Sequence, residues 1–104
     1  MRAVVVLSTT PDLRSARKIA RLLVHKKLAA CVSFRGGWNS IYRWKSKIQN
    51  SSEVLLLIKT SRLKFKMLEK TLRKMHPYEV PEILVLRTSG GSAGYLRWLE
   101  NTLK

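Results

Sequence analysis

The segment His76-Pro77-Tyr78-Glu79-Val80-Pro81-Glu82 constrains the fold of this chain more than any other. A proline fixes its own φ, removes a backbone donor and pushes the preceding residue out of the helical region. His76 therefore has to close a helix, and Pro81 has to open an extended segment. With two prolines four residues apart, the connector between them is stiff. Such a connector limits how far the imidazole of His76 and the carboxylates of Glu79 and Glu82 can wander. Two readings follow, a rigid helix-to-strand elbow or a preformed binding site, and the segment alone supports both.

The periodicity on either side supplies the elements. Ala3 to Leu7 is a Val-rich apolar run, the pattern of a strand buried on both faces. Thr10-Pro11-Asp12 predicts a helix start, with the Thr10 hydroxyl as N-cap and proline at the first helical position. Ala16, Ile19, Ala20 and Leu23 then form an amphipathic stripe. Leu28 to Phe34 is the second strand, bent at Gly36-Gly37. Ser40 to Trp44 turns back through Lys45-Ser46 into Lys47 to Gln49 as a projecting hairpin, although neither turn residue is the favoured Gly or Asn. Asn50-Ser51-Ser52 reads as a loop, and Val54 to Ile58 as a third strand. Thr60 or Ser61 caps a second helix, whose stripe is Phe65, Leu68, Leu72 and Met75. Beyond the elbow, Glu82 to Leu86 is the fourth strand. Ser89 to Ser92 is a flexible turn, and Tyr95, Leu96, Leu99 and Leu103 mark one side of a last helix, with Trp98 at its edge.

Strand, helix, strand, strand, helix, strand is the order of an α+β, ferredoxin-like βαββαβ sandwich, here with an extra C-terminal helix and a single domain spanning residues 1–104. Right-handed crossovers place both long helices on one face of a four-stranded antiparallel sheet. The other face is left bare, although the strand runs are apolar on both sides. A closed homo-oligomer that buries this face is the expected solution, with the hairpin free to pair with a neighbour's edge.

Charge bears on partners. The 104 residues carry 21 Lys and Arg against 6 Asp and Glu, a formal net charge of +15. Such a balance predicts nonspecific attraction to polyanions, nucleic acid included, that weakens as salt rises. The chain has neither an aromatic pair of the kind an RNA-binding sheet displays nor a Gly-rich phosphate loop. No apolar run approaches the length of a membrane span or a signal peptide, so no membrane association is expected. A lone thiol, Cys31, cannot form an internal disulfide; it fits inert packing in a reducing, cytoplasmic setting. Ser8, His76 and Glu79 could be written as a catalytic triad, but nothing in their spacing supplies a nucleophile elbow, and no enzymatic activity is expected.

Several separated segments together resemble the CutA divalent-cation tolerance family. They are Leu28-Ala29-Ala30-Cys31-Val32, Ser40-Ile41-Tyr42-Arg43-Trp44, Ile58-Lys59-Thr60, the elbow through Ile83, and Tyr95-Leu96-Arg97-Trp98. Their order and spacing are the family's, over nearly the whole chain. The resemblance implies a cytosolic homotrimer, related in architecture to the P-II signalling proteins and connected with tolerance of copper and other divalent metal ions. It implies no established enzyme activity. Family copper ligation is associated with a Cys after the first strand and with adjacent histidines at the elbow; the matching positions here are Ser8, Met75 and His76. The expected metal residues are accordingly His76 and Glu79, holding copper or another divalent cation weakly. By analogy with the P-II proteins, an inter-subunit pocket is expected from Tyr42, Trp44, Lys59, Tyr78, Glu82 and Trp98. Lys59 would there either pair with Glu79 or Glu82 or capture a small anionic ligand.

Overall fold

The computed structural model describes residues 1–104. Strand β1 (Ala3–Thr10) leads into helix α1 (Leu13–His25), followed by β2 (Cys31–Trp44), β3 (Lys47–Ser61), α2 (Arg62–Met75), β4 (Leu84–Arg87) and α3 (Ala93–Thr102). The strands form one antiparallel sheet in the order β2-β3-β1-β4. This is the ferredoxin-like arrangement with an appended helix, as the order of elements predicts.

Alternation along β1 and β3 divides the sheet into two faces. Val4, Val6, Leu56 and Ile58 point towards α1 and α2 and are buried there with Ala16, Ile19, Leu23, Leu68 and Leu72. Phe65 and Met75 complete the predicted α2 stripe from the edge of this core. On the opposite face the paired register aligns Ser33, Leu57, Leu7 and Leu84 in one row, and Cys31, Lys59, Val5 and Leu86 in the next. One end of this face is covered by α3 and its C-cap, where Leu99 and Leu103 pack on Ala3 and Ala30. Leu84 and Leu86 are 57% and 49% exposed. The bare apolar face expected from the sequence is therefore present in the single chain.

Local details depart from expectation in instructive ways. Asp12, not Thr10, is the N-cap of α1: its carboxylate accepts from Ser15 N–H at 2.7 Å, while the Thr10 hydroxyl donates to the Asp12 carbonyl at 3.0 Å. An acid makes a stronger cap than a hydroxyl because it also answers the helix dipole. Asn50-Ser51-Ser52 is not a loop. It lies within β3 and pairs with Ile41, Ser40 and Asn39, so the hairpin is one long ribbon rather than two short pairings. Cross-strand bonding overrides the low β-propensity of Asn and Ser, helped by the Tyr42 hydroxyl against Ser51 Oγ at 2.9 Å. The break in that ribbon is where Gly36-Gly37 predicts it: register shifts between Arg35 and Trp38, and Gly37 takes φ 76°. The hairpin turn does close on Lys45 and Ser46, both left-handed at φ 51° and 66°. Two non-glycine residues in that region carry a cost of roughly 1–2 kcal/mol each, which the long ribbon has to offset.

Candidate functional site

The elbow is fixed by its histidine. As the C-cap of α2, His76 has extended backbone (φ −75°, ψ 135°), the conformation the following proline demands. Its ring is buried and bonded at both nitrogens. Nε2 lies 2.8 Å from the Thr9 carbonyl and Nδ1 lies 3.1 Å from the Tyr78 backbone N–H. A carbonyl only accepts and an amide N–H only donates, so Nε2 carries the proton and Nδ1 the lone pair. Burial holds the pKa of His76 below its ordinary value, against the opposing pull of the Thr9 carbonyl and of Glu53. The imidazole is thus a neutral clamp tying the elbow to the end of β1.

With the elbow pinned there, Tyr78 swings over the sheet and donates its hydroxyl to Glu53 Oε2 at 2.8 Å. Burial, with this bond and the Glu53 charge behind it, pushes the Tyr78 pKa far up, so the phenol keeps its proton. Between elbow and hairpin lies a cavity of about 490 Å³. Tyr42, Trp44 and Tyr78 line it with the carboxylates of Glu53, Glu79 and Glu82, and Thr9, Ser40, Ile41 and Val80 complete its walls. Burial, followed by the Glu53 charge, raises the pKa of Glu82 above the ordinary carboxylate value. Half of the chain's six acidic residues meet here, and none of its 21 Lys and Arg lines the wall.

Of the sequence-predicted site residues, the structure gathers Tyr42, Trp44, Tyr78, Glu79 and Glu82 around this cavity, with His76 behind it. Lys59 and Trp98 lie elsewhere in the chain. Lys59 pairs across the sheet with Val5 and Cys31 and donates to Ser33 Oγ at 2.6 Å. It sits six residues along β3 from Glu53, roughly 20 Å at strand rise. The expected ion pair from Lys59 to Glu79 or Glu82 is not formed, because the strand carries Lys59 to the far end of the sheet. Trp98 stacks on Tyr95 at 5.5 Å on α3, also at that end. Glu53 is the buried cavity residue that the sequence alone did not point to. Its signal was a lone acid opening the apolar run Val54 to Ile58, in a chain otherwise poor in acids.

Ser8 and Met75 do not join His76 in a ligand set. Ser8 lies on the helix-facing side of β1, fully buried, with Oγ lacking any hydrogen-bond partner; Met75 packs at the edge of the helix-side core. No three His, Cys, Asp or Glu side chains converge closely enough to hold a metal ion. A buried orphan hydroxyl costs about 1–3 kcal/mol. Ser8→Ala is accordingly expected to raise stability by about 1 kcal/mol, and chemical denaturation at fixed protein concentration measures it. A loss of stability would mean that the hydroxyl has a partner.

The same architecture recurs among known proteins. The model of the CutA1 divalent ion tolerance protein family matches residues 4–102. The divalent-cation tolerance protein CutA of Pectobacterium atrosepticum is 43% identical over 102 residues, which cover 98% of this chain and 93% of that protein. The crystal structure of CutA from Xylella fastidiosa superposes with a TM-score of 0.95 at 39% identity and covers 98% of both chains. The structure of the periplasmic divalent cation tolerance protein CutA from Archaeoglobus fulgidus gives a TM-score of 0.95 at 31% identity over 98% of this chain and 99% of that one. The chain therefore belongs to the CutA1 divalent ion tolerance protein family.

Proposed function

We propose that the chain is a non-enzymatic, homotrimeric protein of divalent-cation tolerance that interacts weakly with divalent cations at the cavity beside the elbow. One observation carries the reading: in a chain of +15, three carboxylates share a single cavity that no Lys or Arg lines. Charge of that sign at that spot favours a cation locally, whatever the field of the whole molecule does at long range. No helix is long and apolar enough to cross a membrane. The free thiol of Cys31 suits a cytoplasmic setting, whereas the Archaeoglobus relative is described as periplasmic.

The donor chemistry bears on which ion. Carboxylates and a phenol are oxygen donors and suit hard divalent ions, while copper prefers imidazole and sulfur. The only lone pair of His76, on Nδ1, already accepts from Tyr78 N–H. His76 can ligate only by giving up that bond. Glu79 and Glu82, on the elbow, are the first contacts in this reading, with copper one ion of the divalent series and not a dedicated cargo. Titration of the metal-free protein with Mg²⁺, Zn²⁺ and Cu²⁺ by calorimetry tests it. The double variant Glu79→Gln/Glu82→Gln is expected to weaken binding at least tenfold while leaving the fold intact; unchanged affinity would overturn the assignment.

An anion sensor in this cavity is disfavoured by the same three carboxylates. Nonspecific polyanion binding has a different basis, because Arg62, Lys64, Lys66, Lys70, Arg73 and Lys74 of α2 face a single acid, Glu69, paired with Arg73 at 3.9 Å. Counterion release would supply the affinity, and elevated salt would remove it.

A further inference from the structure

The cavity is far larger than a bare metal ion requires. At about 490 Å³ it falls in the range of sites for small organic molecules, and one wall is aromatic where a metal site would offer further donors. Glu53, at its floor, is only 7% exposed. Its one hydrogen bond comes from the neutral Tyr78 hydroxyl, and no Lys, Arg or His pairs with it. A carboxylate so buried without a cationic partner is costly, and in a chain with 21 basic side chains the missing partner is conspicuous. The ring of Trp44 already attracts a cation from outside, since Lys45 Nζ lies 5.9 Å from its centroid.

We propose that this cavity binds an organic cation, a protonated or alkylated amine, with its charge against Glu53 and Glu82 and its carbon substituents against the rings of Tyr42 and Trp44. The inference rests on the reading that the cavity selects cations, and it names a class of ligand that the aromatic wall recognises and a hydrated metal ion cannot exploit. An aromatic face attracts a weakly hydrated ammonium through its quadrupole, and the attraction grows when water is excluded. The buried carboxylate supplies the charge that fixes orientation. Small inorganic cations gain only the second contribution; substituted ammonium ions gain both.

Tetraethylammonium is a suitable probe, with ammonium chloride as the size control and Zn²⁺ as the metal arm, all titrated into the full protein in its native assembly. Calorimetry and tryptophan fluorescence follow binding. The expected result is saturable binding of tetraethylammonium, at least tenfold tighter than ammonium. Trp44→Leu should weaken tetraethylammonium at least fivefold and leave Zn²⁺ unchanged, and the isosteric Glu53→Gln should weaken it as much or more. If tetraethylammonium does not saturate, binds no better than ammonium, or is indifferent to both substitutions, the proposal falls. Weakened Zn²⁺ binding in Glu79→Gln with tetraethylammonium retained supports it. Zn²⁺ bound while tetraethylammonium is refused, as when a neighbouring copy's lysine fills the cavity, leaves the metal reading standing and overturns this one.

Discussion

His76→Ala is expected to destabilise the protein by about 3 kcal/mol, because the substitution strands both groups that the ring now satisfies. The Thr9 carbonyl loses its donor at 2.8 Å and the Tyr78 N–H loses its acceptor at 3.1 Å, in a place where the ring itself is buried. Each unpaired buried polar group costs roughly 1–3 kcal/mol, and the vacated ring volume adds to it. For a domain of this size that corresponds to a fall in Tm of roughly 12–24 °C, read by calorimetry at one protomer concentration so that assembly does not confound it. His76→Gln keeps an amide donor and an acceptor and is expected to recover part of the loss. A change below 1 kcal/mol in the alanine variant would show that the elbow is held by its prolines alone.

The same clamp predicts a pH dependence. Burial depresses the pKa of His76 in the folded state below the ordinary value of about 6.5. As pH falls below that value the unfolded chain takes up a proton that the folded chain refuses, so stability declines towards the depressed folded pKa. Glu82 works in the opposite direction. Its folded pKa is raised, so the folded state binds the extra proton just above the ordinary carboxylate range, and the Glu82 contribution is lost as pH rises through that window. As pH falls below about 6.5, wild-type protein loses stability that His76→Gln retains.

How much of this was legible in the sequence depends on the reach of the forces involved. Elements set by local pattern could be read directly: the Val-rich β1, the stripe of α2, the bend at Gly36-Gly37 and the helix end at His76 all follow from side-chain period or backbone sterics. The hairpin was underestimated because Asn50, Ser51 and Ser52 have no strand preference of their own; pairing with Asn39, Ser40 and Ile41 holds them extended. Within the site, the elbow residues stand out by stiffness and residue type, whereas the hairpin aromatics entered only through the analogy with the P-II proteins. Glu53 does not stand out, since nothing local shows that it lies beneath Tyr78. Lys59 was misplaced for the converse reason. The expectation brings it to Glu79 or Glu82, and only the register shows that β3 carries it past the cavity to Ser33. Both errors concern position along a strand, which a one-letter pattern of alternation leaves open.

Leu57→Asp is expected to convert the proposed homotrimer into monomers, the largest effect of any substitution considered. Leu57 lies on the open face between Ser33 and Leu7, in the row that ends at Leu84. That row is apolar apart from its edge, and α3 stops short of it, covering Ala3 and Ala30 instead. In a trimer closed over this face, each subunit would bury a new carboxylate beside Lys59, whose ammonium is already held at Ser33 Oγ, and taking that carboxylate out of water would cost several kcal/mol. In the monomer the same carboxylate faces water, so the fold itself survives. Leu63→Asp is the matched control. Leu63 is 92% exposed at the start of α2, on the helical layer, and its replacement should leave the assembly untouched. Light scattering on size-fractionated protein separates the outcomes. A trimer that persists in Leu57→Asp would mean that the subunits meet elsewhere, through the hairpin ribbon or the helical layer, and that the bare sheet face is kept for another partner.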